Sequence, residues 1–291
     1  MNRLIAVLLL LFTGPVLAVH EPWVTETYPQ DVDKWWWDDA WWQEGQLDRP
    51  ENHPVTAEQI SYPSGDVEVP AWLFRPTTPG DHLPVLFLHG RRGLDELTLL
   101  LPRRLAARGF VVLAPDLWSA RFVEKQPIEH DPAAEEDAAR GLDTLLALPG
   151  LRGDRACVVS HTRGGYQALM ALVKHDRQAR GAACYVGYYP HWQDPNAPEP
   201  MQVYRYAPEL EALLVPTLVF IGEHEQYQRL RPIVEGTAVL RDKGRDARLI
   251  VYPGVGRGFD FRPPSVRTFA DDLAAKDAAR RTELFIRRHL E

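Results

Sequence analysis

Past the first sixty residues, the chain alternates between short apolar runs that stop at turn residues and longer stretches with helical spacing. The runs are Val85 to Leu88, Phe110 to Ala114, Ala156 to Val159, Ala182 to Val186, Thr217 to Ile221 and Leu249 to Tyr252. Runs this short and this continuously apolar predict strands covered on both faces. Between them, Glu96 to Arg108, Pro132 to Ala147, Gly164 to His175, Gln226 to Lys243 and Phe269 to Leu290 predict helices. Upstream, Ile60-Ser61-Tyr62 and Val67 to Arg75 flank Pro63-Ser64-Gly65-Asp66 and predict a hairpin. Strand and helix in regular alternation imply an α/β fold, a mostly parallel doubly wound sheet with helices on both faces.

The beginning of the chain reads differently. Met1-Asn2-Arg3 is basic, Leu4 to Phe12 is apolar, and Val16-Leu17-Ala18 offers small residues in a cleavage-site pattern, so residues 1–18 are expected to be a signal peptide. The apolar run is too short to cross a bilayer core, which takes about twenty residues, so no stable membrane anchor is expected. The protein is therefore expected in the periplasm or outside the cell. Residues 19–56 form a Trp-rich arm holding Trp23, Trp35, Trp36, Trp37, Trp41 and Trp42, with a helix expected over Asp31 to Leu47. The arm is read either as packing on the main domain or as a rim beside a ligand. The domain of alternating strands and helices is expected over 57–291.

Composition narrows the partners. The 291 residues carry 33 Lys+Arg against 40 Asp+Glu, a formal charge of −7, which argues against nucleic acid as a partner. Cys157 and Cys184 lie in apolar strand-like runs and are read as two buried thiols in preference to a disulfide. The chain has no lysine-bearing phosphate loop, dinucleotide fingerprint or paired-cysteine zinc spacing, and His82 and His89 fall at opposite ends of one strand. No cofactor and no metal site are expected.

In a parallel sheet, chemistry gathers at the carboxyl ends of the strands. The segments there are His89-Gly90-Arg91-Arg92-Gly93, Ser160-His161-Thr162-Arg163-Gly164-Gly165, Gly222-Glu223-His224-Glu225 and Tyr252-Pro253-Gly254-Val255-Gly256-Arg257-Gly258-Phe259. With Tyr62-Pro63-Ser64-Gly65 and Ala114-Pro115-Asp116, their order and spacing resemble the α/β-hydrolase fold and, within it, the dienelactone hydrolase family. The resemblance runs from Ile60 to Glu291.

That resemblance implies a nucleophile on a sharp strand-to-helix turn, G-x-C/S-x-G-G, with an acid and a histidine on later loops. Aligning Gly164-Gly165 places Thr162 at the nucleophile and Ser160 at the first glycine; the acid falls on Glu225 and the histidine on Arg257. A guanidinium has no acceptor and stays protonated, so Arg257 cannot take a hydroxyl proton. A β-branched residue is also poorly suited to the positive φ of such a turn. His161, adjacent to Thr162, is expected to point to the opposite face and to be packed or hydrogen-bonded. His191 and His224 sit on loops at the same edge as substitute bases, and Ser160 is a substitute nucleophile.

The family's oxyanion hole would be formed here by the N–H groups of Arg91 and Arg163, beside the N-terminus of the helix from Gly164. Arg91, Arg92, Arg163, Arg257 and Arg262 place positive charge around it, so a small anionic ligand is one expectation and an Arg257–Glu225 ion pair another; the two are compatible. Two functions stay open. One is a carboxylic-ester hydrolase, weak or silent with Thr162, Glu225 and Arg257 at the triad positions. The other is a non-catalytic pocket holding a small anion or aromatic carboxylate.

Overall fold

The computed structural model describes residues 54–127, 130–194, 197–263 and 265–291. The expected signal peptide and the tryptophans of the arm lie outside them. Val55 and Thr56, at the end of the expected arm, instead begin strand β1 (Val55–Ser64), opposite Pro76 and Arg75 of β2 (Val67–Pro76). Gly65, at φ 60, supplies the left-handed turn between them.

Six further strands follow: β3 (Leu83–Leu88), β4 (Phe110–Pro115), β5 (Ala156–His161), β6 (Ala182–Tyr188), β7 (Thr217–His224) and β8 (Ala247–Gly256). They form one sheet in the order β1-β2-β4-β3-β5-β6-β7-β8, antiparallel at β1/β2 and β2/β4 and parallel beyond. Every residue of β3, β4, β5 and β6 is buried, whereas edge strand β1 is mostly exposed. Covering helices α1 (Leu100–Ala107), α2 (Ala133–Leu146) and α3 (Gly164–Val173) are followed by the short α4 (Arg177–Arg180) and α5 (Glu199–Gln202), then α6 (Tyr227–Asp242) and α7 (Phe269–Leu290). Eight strands, mostly parallel and packed between helices, are the expected architecture.

Three details differ from the sequence expectation. Helix α1 starts at Leu100 rather than Glu96, because Asp95 accepts from Thr98 N at 2.8 Å and from Leu99 N at 3.0 Å, closing a separate turn first. Strand β7 continues through His224, which therefore stands on a strand end. Cys157 and Cys184 are not free thiols: they form a disulfide, with Cα atoms 4.7 Å apart. The pairing follows from register, since the two residues are direct partners on neighbouring parallel strands β5 and β6.

Helix α7 is fixed at its start by a capping box, with Thr268 Oγ1 accepting from Asp271 N at 3.1 Å and Thr268 N donating to the Asp271 carboxylate at 2.9 Å. Among the described residues no helix is long and apolar enough to cross a membrane.

Candidate functional site

The carboxyl ends of β3, β5, β6, β7 and β8 surround a cavity of about 400 Å³. Its walls include Gly90 and Arg91 after β3, Thr162 after β5, His191 after β6, Arg229 in the first turn of α6, and Arg257 and Phe261 after β8.

Thr162 occupies the turn between β5 and α3 at φ 46. This is the left-handed region that a β-branched side chain rarely enters, and it is held there by surrounding contacts. Thr162 N donates to Tyr188 O at 3.1 Å, while Thr162 O accepts from Gly165 N at 3.0 Å and from His191 N at 2.7 Å. Both glycines after it are required by close packing. A Cβ on Gly164 would overlap the Leu88 carbonyl, and one on Gly165 would overlap Pro190.

Across the cavity, Arg257 Nη1 donates to Glu225 Oε1 at 2.9 Å, and its Nη2 donates to Tyr189 O at 2.9 Å. The Glu225 side chain is fully buried and its Oε1 also accepts from Gln226 N at 2.8 Å. The guanidinium lies 5.2 Å from the Tyr189 ring centroid, a cation–π distance. The residues aligned with the family's base and acid thus meet as an ion pair.

Positive charge dominates the rest of the cavity. Arg91 Nη2 donates to Gln126 O and Gln126 N donates back to Arg91 O, each at 2.7 Å, which anchors the wall. Arg92 lines the cavity but is paired with Asp95, Nε to Oδ2 at 2.8 Å. Arg163 does not line the cavity: it donates Nη1 to Pro127 O at 3.0 Å, and burial followed by the charge of Arg91 pushes its pKa down to about 10. Burial, then the charges of Arg257, Arg163 and Arg91, lower Arg229 to about 10 as well, against an opposing pull from Glu225. Both guanidiniums still carry their charge at neutral pH. His191 is driven the other way from a base that holds a proton: burial, then Arg257, Arg229, Arg163 and Arg91, press its pKa well below the usual histidine value.

The remaining sequence candidates separate. Ser160 is fully buried beneath the site, its Oγ 2.9 Å from Tyr185 OH, and does not line the cavity. His224 is exposed and also outside the lining. Arg262 braces the loop that carries Arg257, with Nη2 donating to Arg257 O at 3.4 Å and Nε 3.5 Å from Asp271 Oδ1. His161 packs among Phe87, Tyr188, Tyr189 and Phe261, yet it also reaches the cavity floor. Its Nε2 stands 2.9 Å from buried Asp260 Oδ2, and Asp260 Oδ1 accepts a hydrogen bond from Tyr189 OH. Burial alone would raise the Asp260 carboxyl; the neighbouring His161 and the Tyr189 hydrogen bond bring it below its usual value instead.

Arg229 and Asp260 are the functional-edge residues that the strand-end reading missed. Asp260 follows the Gly258-Phe259 close, one residue beyond the segment that the motif defines. Arg229 lies three residues into a helix, where the signal was its position in the first turn after β7.

A family model for the dienelactone hydrolase family matches residues 69–290. The chain is 29% identical over 143 residues to the Bacillus subtilis uncharacterized peptidase YtmA, a match covering 47% of this chain and 53% of that protein. The chain spans about half the length of the curated relatives it matches. Among solved structures, the dienelactone hydrolase-like promiscuous phosphotriesterase P91 from metagenomic libraries superposes with a TM-score of 0.61 at 16% identity, covering 81% of this chain and 99% of P91. A hyperthermophilic esterase from the archaeon Pyrobaculum calidifontis gives 0.61 at 19% identity, covering 90% of this chain and 93% of the esterase. At such identities the two superpositions speak for the fold alone.

Proposed function

The chain belongs to the dienelactone hydrolase family, and on that premise we propose that it is an anion-binding pocket protein on an α/β-hydrolase scaffold, with carboxylic-ester hydrolysis through Thr162 weak or absent. The observation that carries this reading is the contact of Arg257 Nη1 with Glu225 Oε1 at 2.9 Å. A hydroxyl nucleophile needs an acceptor for its proton, and a guanidinium already committed to a carboxylate offers none. Arg91 and Arg229, which have no ion-paired carboxylate among the described residues, give the cavity positive walls. A chain that begins with a signal-like segment, and whose two cysteines pair, fits a periplasmic or secreted protein.

One observation favours a second reading, a slow hydrolase that uses His191. Its ring lines the cavity with Thr162, its backbone N–H holds the Thr162 carbonyl at 2.7 Å, and its surroundings keep the imidazole neutral, the state a base needs. The strongly lowered pKa makes it a poor proton acceptor, which is why this reading ranks second.

Turnover of a short-chain aryl ester separates the two. The wild type should match Thr162→Ala, and Thr162→Ser with Arg257→His should gain activity. Wild-type turnover abolished by both Thr162→Ala and His191→Gln would overturn the first reading in favour of the second.

A further inference from the structure

We propose that the cavity is built to hold the phosphoryl group of a small phosphomonoester, its dianion set between Arg91 and Arg229 and its organic part against Phe261. The inference rests on the anion-pocket reading above and specifies the ligand.

Counting charges leads to the dianion. Of the cavity-lining arginines, Arg257 is paired with Glu225 and Arg92 with Asp95. Arg91 has only a backbone carbonyl on its Nη2, and its buried Nε has no hydrogen-bond partner. Arg229 also has a buried Nε without a partner, and no ion pair with a carboxylate among the described residues. Two guanidiniums therefore face the cavity without an ion-paired carboxylate among the described residues. A monoanionic carboxylate would leave one of them unmatched, whereas a phosphoryl dianion matches both.

The arrangement also selects a compact group over two separated carboxylates. Arg91, Arg229 and Arg257 line the same small cavity as His191, and burial followed by their charges and that of Arg163 lowers the His191 pKa. Like charges gathered on one spot are relieved by a concentrated counter-charge, and the guanidinium fork fits the oxygens of a tetrahedral anion. Neutral His191 can offer one further N–H to a phosphoryl oxygen. Glu225 is buried with its Oε2 unpartnered, but its charge is matched by the ion pair with Arg257, so the two together add no net charge to this count.

Size and apolar wall distinguish an ester from phosphate itself. A cavity of about 400 Å³ exceeds a phosphoryl group, and half-buried Phe261 supplies apolar wall for an organic substituent.

Calorimetric titration of the purified chain with phenyl phosphate, phenyl sulfate, inorganic phosphate, benzoate and phenol at pH 7.5 tests the proposal. Phenyl phosphate is expected to bind at least tenfold more tightly than phenyl sulfate or inorganic phosphate. Arg229→Gln and Arg91→Gln should each erase that preference, while Arg229→Lys keeps part of it and so separates charge from folding. Equal binding of phenyl sulfate or benzoate overturns the dianion and leaves the anion pocket standing. Equal binding of inorganic phosphate overturns the ester. Failure of every anion, or binding of phenol as tight as that of phenyl phosphate, overturns the pocket reading as well.

Discussion

The hydroxyl of Thr162 rests on the bare Cα of Gly90, so closely that a Cβ at position 90 would overlap Thr162 Oγ1 and stand 3.3 Å from His161 O. Two strand ends, β3 and β5, are thereby fitted to each other through one missing methyl. The contact places the hydroxyl against backbone at the lip of the cavity, and the φ of 46 at Thr162 is maintained by that packing. Conformational strain at such a site costs about 1–3 kcal/mol and is tolerated because neighbouring contacts over-determine it.

Thr162→Gly should accordingly stabilise the fold by about 1 kcal/mol, since released strain exceeds the roughly 0.5–1 kcal/mol entropic cost of a glycine. Gly90→Ala should destabilise by about 1–3 kcal/mol through overpacking, and adding Thr162→Gly should recover most of the loss. Urea unfolding of the three variants checks this. A double variant whose change equals the sum of the two single changes would show that the residues are not coupled.

Removing Arg257 should hurt more than removing its partner's charge. Arg257→Met leaves a fully buried carboxylate at Glu225 without its cation, a loss on the order of 3–5 kcal/mol. Glu225→Gln leaves an arginine that keeps its bond to Tyr189 O and its partial solvent contact, and should cost about half as much. Arg257→Met with Glu225→Gln should be more stable than Arg257→Met alone. Equilibrium unfolding of this double-mutant cycle decides it, and a double variant weaker than either single one would count against a compensating pair.

Strand positions were readable because β3, β4, β5 and β6 are buried on both faces, which forces short unbroken apolar runs into the text. The site was readable along the loops after β3, β5, β6 and β8, where Arg91, Thr162, His191 and Arg257 stand. What failed depended on register and on helix direction. The Cys157–Cys184 bridge requires knowing that β5 and β6 are neighbours in a particular register, a relation that no local pattern encodes. Arg229 points its charge at the cavity because α6 begins at the same sheet edge, and a residue inside a helical run carries no strand-end signal. Strand alternation puts His161 on the face away from Thr162, yet the turn at Thr162 brings both residues to the cavity wall.

The disulfide should be closed to reductant until the chain unfolds, since both cysteines are fully buried beneath the covering helices. Thiol titration of the native protein should detect no free sulfhydryl before or after brief dithiothreitol, and two after reduction in denaturant. With a sequence separation of 27 residues, loss of the crosslink in Cys157→Ala with Cys184→Ala should lower stability by about 3 kcal/mol. A native protein that titrates two thiols would reverse the assignment.

Stability should fall as pH drops from 7.5 to 5.5, and His191 should be one of its causes. Burial lowers the pKa of both His89 and His191, with the surrounding arginines adding to the effect at His191. His89 is further committed as neutral, because its Nε2 accepts from Leu117 N at 3.0 Å, which leaves Nδ1 to donate to Gly90 O at 2.7 Å. Below a pH of about 6.5 the unfolded chain takes up protons that these folded imidazoles refuse, so the unfolded state gains and stability is lost at up to about 1.4 kcal/mol per pH unit for each histidine. Asp260 acts elsewhere: its lowered carboxyl contributes stability that is present above the unfolded aspartate pKa and lost only as pH falls through the folded one, below this window. His191→Gln should therefore flatten the dependence of the urea midpoint on pH between 7.5 and 5.5, leaving the His89 contribution in place. Parallel midpoint curves for wild type and His191→Gln would mean that His191 takes up its proton in the folded protein as readily as in the unfolded chain, and its role as the neutral member of the arginine cluster would fall with them.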